Sequence, residues 1–217
     1  MLAVQPCNPE DAPTLATIHQ ECFTAPIEQR LWPPVPEMHA WWSTVFVQKM
    51  RSPKSRLMKV VDTEKGDAIV GFLDWKVPAT PVPSSAGGDG VNGEKKEEKD
   101  EEEEEFPPFP PCVDGAMFGA LMDDLHAKEA AIMASRPFWY LNILATKPSY
   151  RRQGVASKLV EWGVQQADAA GVEMFVVSST MARGVYLKHG FEMVVEGEGL
   201  DGFVPWFMLR KITKGSS

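Results

Sequence analysis

Cysteine is scarce in this chain of 217 residues: Cys7, Cys22 and Cys112 are the only three. They are odd in number and far apart. They have neither metal-ribbon spacing nor a paired framework, so reduced, mostly buried thiols and no metal are expected. Apolar runs are short, and none approaches the length a membrane helix needs. Residues 1–13 have no basic region and no apolar region of the signal-peptide kind. The chain is therefore expected to be soluble and cytoplasmic, with a nuclear location also compatible, and to bind no membrane.

Net positive charge is lacking as well. The formal net charge is −8, and nucleic acid would be repelled rather than bound. Most of that acidity lies in one place. Glu94 to Glu105 holds nine acidic residues and three lysines, a local −6, and the remainder carries only −2. The surrounding Pro78 to Pro111 is rich in Pro, Gly, Ser and charge. Such a run cannot bury enough apolar area to offset chain entropy, so it is expected to be a disordered insertion. A solvated linker is one reading of it, and a docking element for a basic partner is the other. Hydrophobic residues make up 44% of the chain, enough for a sizeable core. One domain over 1–217 with an insertion at about 78–111 is expected.

The segment from Phe138 to Phe191 carries the chemistry. Phe138 to Ala145 is apolar and aromatic, as a strand should be. Pro148 ends it, having no N–H to give a sheet ladder. A basic turn with one glycine follows, Arg151-Arg152-Gln153-Gly154. From Val155 the apolar residues Val155, Leu159, Trp162 and Ala167 fall close to helical spacing. A helix start leaves unpaired N–H groups and partial positive charge. Gly154 lets backbone approach a ligand, Ala156 stays small, and two arginines add full charge. The residues alone admit an anion cradle, or an ordinary strand–helix connection with two solvated arginines. The turn is not GxxxxGK[ST], and with one glycine it is not GxGxxG.

Arg151-Arg152-Gln153-Gly154-Val155-Ala156 resembles motif A of the GNAT superfamily of acyl-CoA-dependent N-acetyltransferases, R/Q-x-x-G-x-G/A. The strand Leu141 to Pro148, L-x-I-L-A-x-x-P, precedes it at the family spacing. Tyr186-Leu187-Lys188-His189-Gly190-Phe191 follows and looks like the family's Y-x-x-x-G-F ending. The overall pattern looks most like fungal members. The resemblance covers the C-terminal third closely and the N-terminal part only in element order.

The resemblance implies an α/β fold of mixed, mostly antiparallel and twisted sheet, splayed at the CoA site and flanked by helices. It implies acetyl-CoA as cosubstrate. Ile143, Leu144, Ala145 and Thr146 would pair with the pantetheine arm as an added strand would. Arg151, Arg152, Gln153, Gly154, Val155, Ala156 and Ser157 would hold the pyrophosphate. Ser179, with Ser178, ends the neighbouring strand on the same side. Tyr186 matches the position that often protonates the departing CoA thiolate. Some members carry a base on the motif-A strand. That position falls near Tyr140, and no Glu or Asp lies between Arg136 and Arg151. The base would then be another residue, a water chain or none, with the amine arriving neutral. His126, Asp123, Glu28 and His19 are the candidates, in that order.

The remaining elements fit the family order. A strand at Leu2–Gln5 leads to a helix capped by Asn8 that runs to about Phe23. A proline-rich loop from Pro26 to Pro36 precedes a helix from about Glu37 to Met50, whose Trp41 and Trp42 are core or acceptor wall. Strands at 56–62 and 68–77 form a hairpin. A helix capped by Asp114 runs from Gly115 to Met133. Val172 to Val177 is a strand and Ala182 to His189 a helix. Strands at 192–196 and 203–212 close the sheet around a turn at 197–202, and 213–217 is a frayed tail. The expected activity is acetyl transfer to an amine of a small molecule or peptide, by direct attack in a ternary complex, from a monomer or homodimer. No cysteine lies near motif A to carry a covalent intermediate. A CoA-binding sensor or scaffold is the alternative from another class. A third is a protein acetyltransferase whose acidic loop draws basic tails.

Overall fold

Proline and its neighbours set the helices at the start of the chain. A computed structural model describes residues 1–78, 106–198 and 203–212. β1 (Leu2–Pro6) leads through a 3-10 turn at Pro9–Asp11 into α1 (Ala12–Cys22). Asp11 accepts the Asn8 backbone N–H at 2.8 Å and pairs with Lys59 Nζ at 2.6 Å, so the cap also ties the helix to the sheet.

The loop expected over Pro26 to Pro36 contains a short helix, α2 (Pro26–Leu31). Proline at a first helical position loses nothing, because that N–H has no intrahelical partner. The Glu28 carboxylate takes the Ala25 N–H at 2.8 Å, and Ile27 and Leu31 are buried four residues apart. Proline density read as loop was here a helix start. α3 (Pro36–Arg51) begins the same way and buries Met38, Trp42, Val45, Phe46 and Lys49.

β2 (Ser55–Asp62) and β3 (Ala68–Lys76) form the expected hairpin. α4 (Gly115–Met133) follows, with the Asp114 carboxylate accepting the Met117 N–H at 3.0 Å. Then come β4 (Phe138–Thr146), α5 (Val155–Ala170), β5 (Glu173–Ser178), α6 (Arg183–Lys188), β6 (Glu192–Glu196) and β7 (Trp206–Arg210). Residues 79–105, most of the expected insertion, lie outside the described residues, as do most of the 197–202 turn and the 213–217 tail. The described end of the insertion span is packed: Trp41 Nε1 donates to the Pro107 carbonyl at 2.9 Å.

The strands form one seven-stranded sheet in the order β1-β2-β3-β4-β5-β7-β6. Every neighbouring pair is antiparallel except β4 and β5. The sheet is open, mixed and mostly antiparallel, with helices on both faces, as the GNAT resemblance implies. One core, with Leu73, Trp75, Trp139, Leu159 and Met174, lies beneath α5. A second, with Leu15, Trp42, Phe46, Phe72 and Ile143, lies beneath α1 and α3. A third, smaller one, with Leu125, Met133, Phe175 and Phe207, lies beneath α4.

Candidate active site

β4 and β5 are parallel neighbours for only four positions, from Phe138 opposite Glu173 to Leu141 opposite Val176. Beyond them β4 runs on to Thr146, paired with β3 alone, while β5 runs on to Ser178, paired with β7 alone. The facing edges part, and among the described residues the inner edge of β4 after Leu141 has no strand partner. Backbone groups there need another partner, and an extended ligand can supply it. This is the edge that holds Ile143, Leu144, Ala145 and Thr146. The fold brings to this edge a cysteine that is remote from it in sequence: Cys22 Sγ donates to the Thr146 carbonyl at 3.1 Å, and burial pushes the thiol pKa up, which disfavours the thiolate.

A bulge sits where the strands part. Asp74 lies opposite Ile143 and Trp75 opposite Leu141, which leaves Asn142 as the extra residue. The bulge reverses the facing of the strand. Trp139 and Leu141 pack beneath α5, whereas Ile143 and Ala145 pack beneath α1 and α3.

The basic turn follows β4 through a 3-10 turn at Pro148–Tyr150. Arg152 has φ 65° and Gly154 φ 84°, both in the left-handed region. Left-handed residues in such a turn aim successive N–H groups into one concavity. The first intrahelical bond of α5 is Lys158 N–H to the Gly154 carbonyl at 3.0 Å. The N–H groups of Val155, Ala156 and Ser157 therefore precede any intrahelical acceptor. Arg151, Arg152, Gln153 and Gly154 are exposed, and Val155 is buried. The loop is pressed onto the sheet at Gly71, where a Cβ would lie 2.6 Å from Val155 Cγ1 and 2.7 Å from the Ala145 carbonyl oxygen. Gln153 Nε2 donates to the Ser149 carbonyl at 2.9 Å, and Ser157 Oγ is bonded to His189 Nε2 at 2.7 Å. The seven predicted pyrophosphate residues thus form one turn, directly continuous with the predicted pantetheine edge.

Tyr186 on α6 is buried at 3% exposure and packs edge-on against Phe191, with ring centroids 5.6 Å apart. Burial pushes its hydroxyl pKa up, and the Tyr140 phenol adds to the shift, so the group stays protonated. Ser179 serves the start of α6: its Oγ accepts the Ala182 N–H at 3.4 Å, and its carbonyl accepts from Ser178 Oγ at 2.8 Å.

The other face of the cleft is walled by aromatic rings from several elements. Trp41 stacks on Phe109 at 5.0 Å, Trp32 meets Phe118 at 5.3 Å, and Phe109 meets Phe118 at 4.7 Å. Phe106 and Phe109 remain exposed on its rim. Both readings of the two tryptophans find a residue, because Trp42 is core at 6% exposure and Trp41 is half-buried in the wall.

Beneath this wall lies a polar network that the sequence reading did not identify. The Asp74 carboxylate, with no exposed surface, accepts from Ser55 Oγ at 2.6 Å, Lys49 Nζ at 2.6 Å and Asn142 Nδ2 at 3.1 Å. An amide that donates its nitrogen to Asp74 turns its oxygen away from it. A charged residue in the middle of the apolar 68–77 strand was the available signal.

Of the base candidates, His19 is enclosed at 2% exposure between Phe23 and Trp42, and burial lowers its pKa to about 3. The Glu28 carboxylate caps α2. Asp123 and His126 are on the exposed side of α4. Glu129, on the same helix, falls in its inward stripe. Burial pushes the Glu129 carboxyl up from the usual range, while His126 and Lys76 pull it down. Among the described residues no cluster of His, Cys, Asp and Glu could hold a metal ion, and no helix is long and apolar enough to cross a membrane.

Residues 114–193 match the sequence model of the acetyltransferase (GNAT) domain. No protein of curated function matches the sequence. Solved structures share the fold across essentially the whole chain. One is the histone acetyltransferase HPA2 and related acetyltransferase of Corynebacterium glutamicum, with TM-score 0.61, 21% identity, and coverage of 100% of this chain and 99% of that one. Arabidopsis thaliana NAA60, solved with a bisubstrate analogue, gives TM-score 0.57 and 16% identity, with 100% of each chain covered. The PaiA N-acetyltransferase of Thermoplasma acidophilum, solved with coenzyme A, gives 0.54 and 12%, with 97% and 99% covered. The chain has the GNAT fold. These likenesses span bacterial, plant and archaeal proteins and do not narrow to the fungal type.

Proposed function

We propose that this protein transfers an acetyl group from acetyl-CoA to the amine of a small molecule or peptide. The observation that carries the reading is the cleft between β4 and β5, continuous with a basic, left-handed turn at the start of α5. A strand edge without a partner suits the amide-bearing pantetheine arm, and a helix start with two arginines suits a diphosphate. Ile143 to Thr146 would hold the first and Arg151 to Ser157 the second. Both parts fit, and they adjoin in the order the cosubstrate needs. Bound there, acetyl-CoA would supply the activated acetyl group.

The chain's own residues would do the rest. Tyr186 keeps its proton because its surroundings disfavour the phenolate, so it can give that proton to a thiolate leaving nearby. The bulge at Asn142 turns the β4 edge where it meets the aromatic wall, on the side from which an amine would approach. The wall favours an acceptor with an apolar or aromatic body. Direct attack in a ternary complex, in a single domain acting as monomer or homodimer in the cytoplasm or nucleus, completes the reading. The overall sequence pattern looks most like fungal members.

Titration calorimetry with CoA, followed by thiol release from acetyl-CoA over a panel of amines, tests this. Binding with amine-dependent thiol release is expected. CoA binding without release from any amine would favour a sensor or scaffold. Absence of CoA binding would remove the assignment.

A further inference from the structure

Asp123, Asp124 and His126 lie on the exposed side of α4, and Glu129 does not. Leu121, Leu125 and Met133 form the stripe that packs on the sheet, with Leu125 and Met133 buried. Glu129 stands four residues after Leu125 and four before Met133, so the helical period places it in that stripe. A carboxylate there costs free energy unless something repays its desolvation. Among the described residues it has no ion pair or hydrogen bond. By contrast Asp124, on the outer side, is paired with Lys128.

Two polar groups face Glu129 from the sheet. Lys76 on β3 and Tyr140 on β4 are register partners, so they lie side by side. Tyr140 is the last position but one before the strands part, stacked on Phe175 with ring centroids 6.0 Å apart. The Asn142 bulge follows two residues later. Tyr140 packs with the core residues of α4, and Glu129 feels Lys76 while Tyr140 feels Glu129, so the three share one neighbourhood at the root of the cleft, on the α4 face of the sheet. This is the side away from the α5 core that holds Tyr186.

We infer that Glu129, carried on the inward stripe of α4 and facing Tyr140 and Lys76 at the root of the cleft, takes the proton from the acceptor's primary ammonium. The inference rests on the proposed acetyl transfer and assigns the base that the β4 strand lacks. The proton count closes. Glu129 takes one proton from the ammonium nitrogen and passes it to solvent. The neutral nitrogen forms the bond to the acetyl carbonyl carbon, and the carbon–sulfur bond breaks with its electron pair going to sulfur. Tyr186 gives its proton to that sulfur, and the nitrogen's next proton restores Tyr186. Burial, which pushes the Glu129 carboxyl up, makes it a better proton acceptor near neutral pH. The charged or titratable groups facing it are Lys76, Tyr140 and, on its own helix, His126.

The test uses the full chain, with 2-phenylethylamine and a tripeptide with a free α-amino group as acceptors. Glu129→Gln should lower kcat/KM for both by about 10²- to 10⁴-fold at neutral pH. It should also abolish the acidic limb of the wild-type pH profile and leave CoA affinity unchanged. The deficit should shrink as pH rises toward the acceptor's own pKa, and Glu129→Asp should recover part of the rate. In the complex loaded with CoA, calorimetry should find 2-phenylethylamine bound about tenfold more weakly by Glu129→Gln, from loss of a charge-assisted contact. A Glu129→Gln enzyme with wild-type kcat/KM and an unmoved acidic limb overturns the role of Glu129 alone. A wild-type protein without CoA binding overturns the acetyl-transfer reading with it.

Discussion

The Lys49 ammonium meets the Asp74 carboxylate at 2.6 Å, with Asp74 wholly buried and the Lys49 side chain 11% exposed. A charge so placed must keep its partner. Lys49→Met should destabilise the fold by about 3–5 kcal/mol, because it strands a carboxylate in a dry site. Denaturant unfolding should find the double variant Lys49→Met with Asp74→Leu markedly less damaged than Lys49→Met alone. An additive loss would mean that the two charges are not coupled.

Gly154 occupies φ 84° with open space around its missing Cβ. Gly154→Ala should therefore cost the fold only about 1–2 kcal/mol, the penalty of a left-handed residue. The same Cβ stands in the mouth of the turn. CoA affinity by calorimetry should fall about tenfold or more, beyond what the change in melting temperature accounts for. Equal affinity would place the diphosphate away from this turn.

Tyr186→Phe keeps the ring against Phe191 and removes only the hydroxyl. Its melting temperature and CoA affinity should stay near wild type, while kcat falls about 10²-fold or more. Steady-state kinetics with a fixed amine, beside calorimetry for CoA, separate the two effects. Unchanged kcat would leave Tyr186 a packing residue.

His19 gives a pH dependence with a definite sign. Its pKa is lowered to about 3 by burial, against 6.5 for the free side chain. The unfolded chain thus binds a proton that the folded one refuses. Stability from this group is fully present above about pH 6.5 and is lost as pH falls toward 3. His189, also lowered by burial, adds to the loss in the upper part of that window. Urea unfolding at steps between pH 7 and 4 should give a falling free energy, and His19→Phe should flatten the slope. A slope that persists unchanged would assign it to other groups.

The hairpin, the 115–133 helix and the strand–turn–helix around Gly154 were all legible in the sequence, because each is set by local signals. Asp114 caps its helix as its position suggests, and the run to Met133 ends where the structure ends it. α2 was not legible as a helix. Its prolines read as breakers, whereas in the fold the Glu28 carboxylate takes the Ala25 N–H and Ile27 with Leu31 finds a core. The turn of the site was predicted as a unit, since seven consecutive residues must lie together. The acceptor side was not. Asp74, Lys49, Asn142 and Glu129 come from two strands and two helices separated by long stretches of chain, and only the tertiary fold brings their neighbourhood together. His19 shows the reverse case: its helical position was read, but what enclosed it depended on Trp42 from another helix.

The extra residue at Asn142 has a mechanical consequence. Because of it, β4 is fastened by its first half to the slab under α5 and by its second half to the slab under α1 and α3. Loosening either slab tugs on the same strand, so the two halves of the molecule should come apart in one step. Deleting that residue would do more than shorten a ladder. It would turn Ile143 and Ala145 out of one slab and into the other, unseating the ribbon on which the acyl donor is expected to lie.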